Sequence, residues 1–177
     1  MAQETPQGWC RCLESGTAAV QRPYELQQFG PHGVPVLTVY HIPSFLDCFG
    51  WTVYQKHGKP DYKLQTIIWK QIADGERIQN FISGRAIIKL SEVAEPTLLE
   101  SISCIEAKRF DQHIAALNHI KIPLDANRSI GLDGEIFGVR LHGQFELEWW
   151  ENGPTEWANL VGWTNECIGM FREAMTV

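Results

Sequence analysis

Residues 132–177 read LDGEIFGVRLHGQFELEWWENGPTEWANLVGWTNECIGMFREAMTV. Two alternating runs flank His142-Gly143-Gln144, and a helical run follows Gly153-Pro154. How the two runs pair decides the fold here, because a one-residue slip moves every side chain to the other face of a sheet. A two-residue turn at His142-Gly143 would put Phe137, Val139 and Leu141 on one face with Gln144, Glu146 and Glu148, burying carboxylates. A three-residue turn, His142-Gly143-Gln144, sets Leu141 opposite Phe145, Val139 opposite Leu147 and Phe137 opposite Trp149, and one face becomes wholly apolar. The other face then holds Arg140 opposite Glu146, an attractive cross-strand pair worth about 0.2–1 kcal/mol. It also sets Gly138 opposite Glu148 and Ile136 opposite Trp150. The three-residue turn is the expected one.

The terminal helix is expected to start near Pro154-Thr155-Glu156, since an early proline and a first-turn acid both favour a helix N-terminus. Trp157, Leu160, Val161, Thr164, Cys167, Ile168, Phe171 and Met175 form a helical stripe that should cover the apolar face of the hairpin. Gly162 and Gly169 each cost about 1 kcal/mol against alanine in an exposed helix, which suggests close approach of helix and sheet. Trp163 falls off this stripe, near Met170.

Working outward, residues 1–33 hold several breakers (Pro6, Gly8, Gly16, Pro23, Gly30, Pro31, Gly33) and read as mostly irregular, with a helical turn around residues 18–28. Pro35–Ile42 reads as a strand closed by Pro43. Phe49–Gln55 and Tyr62–Gln71 read as an antiparallel hairpin around the turn formers of residues 56–61. Asp74-Gly75 marks a reversal and Phe81–Leu90 a further strand. A helix capped near Ser91-Glu92, with Pro96 in its first turn, is expected to carry Leu98, Leu99, Ile102 and Ile105 on one face. A second helix spans Phe110–His119 with Ile114 and Leu117 inward, and residues 120–131 form a loop. The expected fold is a single α+β domain: an antiparallel sheet of five or six strands, helices on one face, and a C-terminal hairpin plus long helix.

Trp69-Lys70 closing a strand, Leu98-Leu99 in a helix, then Leu132-Asp133-Gly134, a hairpin and a Trp-rich terminal helix resembles a group of small bacterial proteins. In that group a Leu-Asp-Gly turn precedes two strands and a closing helix. The resemblance covers roughly residues 50–175. It implies layout and bacterial origin, and it carries no activity, since the group has none assigned.

Charge is unevenly placed. Residues 1–132 hold 13 acids and 13 bases, whereas residues 133–177 hold 8 acids and 2 bases, which is the whole net charge of −6. Such a segment repels phosphate backbones, so nucleic acid is not an expected partner. It attracts basic proteins instead. Five scattered cysteines do not make a paired secreted framework. No basic-then-apolar leader opens the chain, and no run approaches the ~18 apolar residues of a membrane helix. A cytoplasmic protein with no membrane partner is expected.

Chemical motifs are sparse. Glu146 and Glu148, two apart on a strand, project from one face about 7 Å apart. That separation suits an acid and a base of glycoside hydrolysis, with Trp150 as a sugar platform. Against it, alternating glutamates are ordinary on a solvent-facing strand, and Arg140 would occupy Glu146. Cys10 and Cys12 with His32 and His41 lack the usual zinc spacing, so no metal or other cofactor is expected. Cys48, Cys104 and Cys167 lie in apolar segments and read as inert packing. His57 and His142 fall in turns as exposed polar residues. No nucleophile elbow, P-loop or dinucleotide fingerprint occurs. Trp51, Trp149 and Trp157 read as core. Glu146, Glu148, Trp150, Arg140 and Trp163 form the candidate binding face. The leading functional reading is a non-catalytic interaction protein, such as an immunity-type antidote covering a basic toxin. A hydrolase using Glu146 and Glu148, and an oligomer-forming module, are the alternatives.

Overall fold

The computed structural model describes residues 4–25, 33–56, 61–85, 89–123 and 133–175. Six strands, β1 (Val34–Pro43), β2 (Cys48–Gln55), β3 (Tyr62–Trp69), β4 (Leu98–Ile105), β5 (Glu135–Leu141) and β6 (Phe145–Trp150), form one antiparallel sheet. Their spatial order is β4-β3-β2-β1-β5-β6. From the interior strand β1 the chain meanders outward to β4, then returns to the other side of β1 with the β5–β6 hairpin. Five helices accompany the sheet among the described residues: α1 (Glu4–Gln21), α2 (Gln71–Ile82), α3 (Leu90–Ala94), α4 (Ala107–Leu117) and α5 (Ala158–Met175). The class is α+β. None of these helices is long and apolar enough to cross a membrane.

The hairpin has the three-residue turn. Leu141 pairs with Phe145, Val139 with Leu147, Phe137 with Trp149 and Arg140 with Glu146. Gly143 takes the left-handed conformation the turn requires (φ +77°). The apolar face continues across the sheet through Val139, Val39, Leu37, Trp51, Val53 and Leu64, and α4 and α5 close over it with Phe110, Leu160, Cys167 and Phe171. Trp51, Trp149 and Trp157 are all core residues. Burying an aromatic or a large aliphatic side chain of this kind contributes about 1.5–3 kcal/mol.

The helices cover both faces of the sheet, where one was expected. A second, smaller core lies on the opposite face, between Cys48, Ile67 and Trp69 of the sheet and Cys12, Ala19 and Val20 of α1, with Ile78 and Val93 beside them. Residues 1–33 are therefore not mostly irregular: they contain the eighteen-residue helix α1. Its buried face includes Gly16, and two glycines set how closely it lies. A Cβ on Gly16 would come within 2.3 Å of the Trp69 ring, and one on Gly50 within 2.1 Å of the Val20 carbonyl. Trp9, Leu13 and Val20 share this face at helical spacing, and Gly8 and Gly16 beside them read as breakers.

Two further expectations are corrected. Asp74-Gly75 lies inside α2, which runs to Ile82, so the strand expected over 81–90 starts as helix; residues 86–88 lie outside those described. Leu98–Ile105 is the strand β4, paired with β3 from Trp69↔Leu98 to Tyr62↔Ile105. The helical spacing of Leu98, Ile102 and Ile105 is coincidental. Serines and β-branched isoleucines suit an edge strand, and the open side of β3 supplies the partner. The helix expected at Phe110–His119 is α4, with Leu117 buried. Much of the loop expected over residues 56–61 and 120–131, and Leu132 of the Leu-Asp-Gly turn, lie outside the described residues.

Asp74 is the node of the smaller core. Fully buried, it accepts from the Trp69 indole N–H (2.8 Å), the Thr97 N–H (2.8 Å) and the Thr97 hydroxyl (2.6 Å). It also pairs with Arg77 at 3.0 Å, and the Cys12 thiol approaches at 3.8 Å. One carboxylate thus joins α1, β3, α2 and the lead into β4. Each of its bonds to a charged oxygen is stronger than a neutral one.

Candidate functional site

Of the expected binding face, four residues lie on the second face of the β5–β6 hairpin, and internal partners engage three of them. Arg140 is ion-paired with Glu146, lies 3.9 Å from Glu25 and sits over the Tyr24 ring. Glu148 accepts from the Tyr40 hydroxyl at 2.8 Å and the Gln21 amide at 3.3 Å. Burial, reinforced by Glu148, raises the Tyr40 pKa, so the phenol keeps the proton it donates. A Cβ on Gly138 would fall 1.9 Å from the Tyr40 ring, so only glycine leaves room for that ring beneath Glu148. Glu148 thus ties α1 to the sheet through Gln21, and Arg140, paired with Glu146, meets the following turn (Pro23–Glu25).

Trp163 is not on this face. It is buried against α4, its indole N–H donating to the His113 carbonyl at 2.8 Å and its ring stacked on His113 at 4.6 Å. The inward surface of α5 is therefore wider than one stripe: Trp163, Cys167 and Met170, three and four residues apart, make a second seam. Gly162 and Gly169 do not mark close approach, since a Cβ at either position would meet open space.

His142 is more than an exposed turn residue. Its Nε2 lies 3.0 Å from the Thr38 hydroxyl, which lies 3.0 Å from that of Thr52, and Tyr24 meets its ring edge-on. Burial, helped by Arg140, pushes its pKa down to about 4, so it is neutral near pH 7. Cys10 and Cys12 diverge on α1, one exposed and one buried, and burial pushes the Cys12 thiol up to about 11. His32 and His57 lie outside the described residues. Among the described residues no group of three potential metal ligands comes together. Cys104 is exposed rather than packed away, and Lys63 donates to its sulfur at 3.1 Å.

A different site emerges at the end of the hairpin, on the α5 side. Glu135, Phe137, Trp149, Glu151, Asn152 and Asn165, with Gly134 and Val161, line a cleft of about 390 Å³. Phe137 and Trp149 are stacked and form its aromatic wall. The backbones of Glu135 and Glu151 meet, the Glu151 N–H donating to the Glu135 carbonyl at 2.6 Å. Among the described residues, Glu151 alone of the non-glycines has positive φ (+48°), a conformation with a modest cost that the surrounding turn enforces. Its carboxylate reaches back over Gly134, where a Cβ would be 2.7 Å from Oε1. Trp150 packs against the same glycine and so stays at the rim. Behind the cleft His41 stacks on Phe137 and bonds Glu135 at 3.1 Å. Burial holds the His41 imidazole below its usual pKa despite that carboxylate, so neutral His41 donates its proton to Glu135.

Among the described residues none that lines the cleft is basic. The cleft offers two carboxylates, two amides and flat aromatic surface, which suits a cationic group with an apolar stem. No sequence signal marked Glu135 and Glu151 as partners, because their proximity follows from the hairpin register and from a positive φ. Comparison of the chain with protein-family models, curated proteins and solved structures returned no match.

Proposed function

We propose that the protein is a non-catalytic binding module whose acidic C-terminal surface receives a basic partner. An antidote covering a basic toxin is one concrete form of that activity. The observation that carries the reading is the cleft lined by Glu135 and Glu151 together with the stacked Phe137 and Trp149, with no basic residue among its described lining. The acidic bias of residues 133–177, 8 acids against 2 bases, would steer a basic partner toward it. The partner's arginine or lysine would lie along the aromatic wall and place its charge between the carboxylates.

A short arginine-rich peptide, titrated at low salt and followed by tryptophan fluorescence and calorimetry, tests this. Glu135→Gln with Glu151→Gln should weaken binding about 2–10-fold, the range for two partly exposed charge contacts. Glu146→Gln with Glu148→Gln should weaken it less, because Arg140 pairs with Glu146 and both Tyr40 and Gln21 donate to Glu148, whereas Glu135 has one neutral imidazole and neither Glu146 nor Glu148 lines the cleft. Equal loss in both double variants, or no binding by the wild type, would overturn the placement.

A further inference from the structure

The two edges of the sheet are unlike. The edge strand β6 has six residues, two of them exposed glutamates, Glu146 and Glu148. Charges in that position discourage strand addition. The opposite edge, β4, has eight residues with an unbroken register against β3. It contains no proline, no bulge, no lysine or arginine, and one acid, Glu100. Leu99 and Ile102 are 51% and 42% exposed. Among the described residues no strand pairs with its outer side. Its outward N–H and C=O groups are a template for another strand.

We propose that β4 pairs antiparallel with β4 of a second copy of this chain, joining two sheets into one of twelve strands about a two-fold axis. An axis perpendicular to the sheet keeps each face continuous, so residues that oppose one another must be an even number apart. Centring it on Glu100 would oppose like charges. Centring it on Ile102 opposes Ile102 to itself, Ser101 to Ser103 and Leu99 to Ile105, so like polarity meets like. Glu100 then lies opposite Cys104 of the second copy, where the Lys63 ammonium is already held. The flanks point to self-pairing. Exposed Glu92 and Glu95 precede β4, and exposed Lys108 follows it, two residues beyond exposed Glu106 and beside Arg109, which Glu173 already holds. Antiparallel pairing brings Glu95 of each copy toward Lys108 of the other. That complementarity favours a second copy over an unrelated strand, and each interface contact occurs twice, as two-fold symmetry demands.

Sedimentation and light scattering over a concentration series, with hydrogen exchange on the same samples, test the pairing. The wild type should go from monomer to dimer as concentration rises, and amides within residues 99–105 should gain protection in step. Ile102→Lys places two ammonium groups face to face on the axis and should leave a folded monomer throughout. Glu95→Lys should weaken the dimer and Lys108→Glu in the same chain should restore it, a rescue that a folding defect would not show. A wild type that stays monomeric, a dimer that survives Ile102→Lys, or dimerisation without protection of residues 99–105 would each overturn the proposal. The cleft at the hairpin end lies on the far side of the sheet, so the outcome is independent of the peptide titration above.

Discussion

Replacing Asp74 with alanine should destabilise the protein by about 3–4 kcal/mol. The carboxylate has no exposed surface, and it satisfies Trp69, both Thr97 donors and Arg77. Removing one partner of a buried ion pair typically costs about 3–5 kcal/mol, and each donor left unsatisfied in a core about 1–3 kcal/mol. Two features pull the expected value toward the low end. The Arg77 side chain is 27% exposed and can turn to water, and it keeps a bond to the Glu95 carbonyl at 2.6 Å. In a domain of this size 1 kcal/mol shifts the melting temperature by about 2–4 °C, so Asp74→Ala should melt about 6–16 °C lower. Asp74→Asn can still accept from Trp69 and the Thr97 amide through its one oxygen, but its NH2 then stands where Oδ1 accepted from Arg77 and the Thr97 hydroxyl. It should cost less than alanine, since two of the buried donors keep their acceptor. Far-ultraviolet circular dichroism and tryptophan fluorescence should report the same transition, since Trp69 lies at the site. A loss below about 1 kcal/mol in the alanine variant would refute Asp74 as the node, because fewer than two of its bonds could then contribute.

Gly162→Ala and Gly169→Ala should each stabilise the protein by about 1 kcal/mol. Both lie in α5 with open space where the methyl would go, and chemical denaturation that finds either one neutral or harmful would contradict this. Stability should also decline below pH 6.5. His142, His41 and His113 all have folded-state pKa values depressed by burial, His142 from 6.5 to about 4. The unfolded chain therefore takes up protons first, so the loss begins as pH falls through 6.5 and for His142 is complete near 4. Allowing for the partial exposure of His142, its share is of the order of 2 kcal/mol. Urea midpoints at pH 7.5, 6, 5 and 4 would show it, and His142→Gln should flatten the slope; a wild-type midpoint constant from 7.5 to 5 would rule the effect out.

What the sequence discloses and what it hides divide along physical lines. The β5–β6 register was legible because burying Glu146 and Glu148 is costly enough to exclude the alternative turn. The stripe of α5 was legible because its residues are large and apolar. Helix α1 was hidden because Gly8 and Gly16 fall along the helical stripe of Trp9, Leu13 and Val20, and a glycine that reads as a breaker in a chain serves as close-packing surface in a fold. Strand β4 was hidden because its four large apolar residues follow a helical spacing and divide evenly between the two faces of the strand, so no alternation marks it, and the open side of β3 supplies the pairing. Asp74 read as a turn residue because nothing local shows that Trp69, Thr97 and Arg77 will converge on it. The candidate site moved for a related reason. The charges on Arg140, Glu146 and Glu148 and the Arg140–Glu146 pair were legible, but the contacts of Arg140 with Glu25 and of Glu148 with Tyr40 and Gln21 join residues more than a hundred positions apart. The cleft of Glu135 and Glu151 depends on where a hairpin ends and on one left-handed residue.

The two cores differ in when synthesis can complete them. Every buried member of the smaller one lies between Cys12 and Val93, whereas the larger one extends from Leu37 to Phe171. A chain emerging from the ribosome can therefore close α1 over Trp69 while β1 still has one side unpaired and Trp51, Val53 and Leu64 await α5. Roughly half the sheet's apolar surface stays uncovered during that interval, which lasts several seconds at ordinary rates of about 5–20 residues per second. The nascent protein is thus most adhesive late in its own translation, at the stage when an order-sensitive chaperone would find it half built.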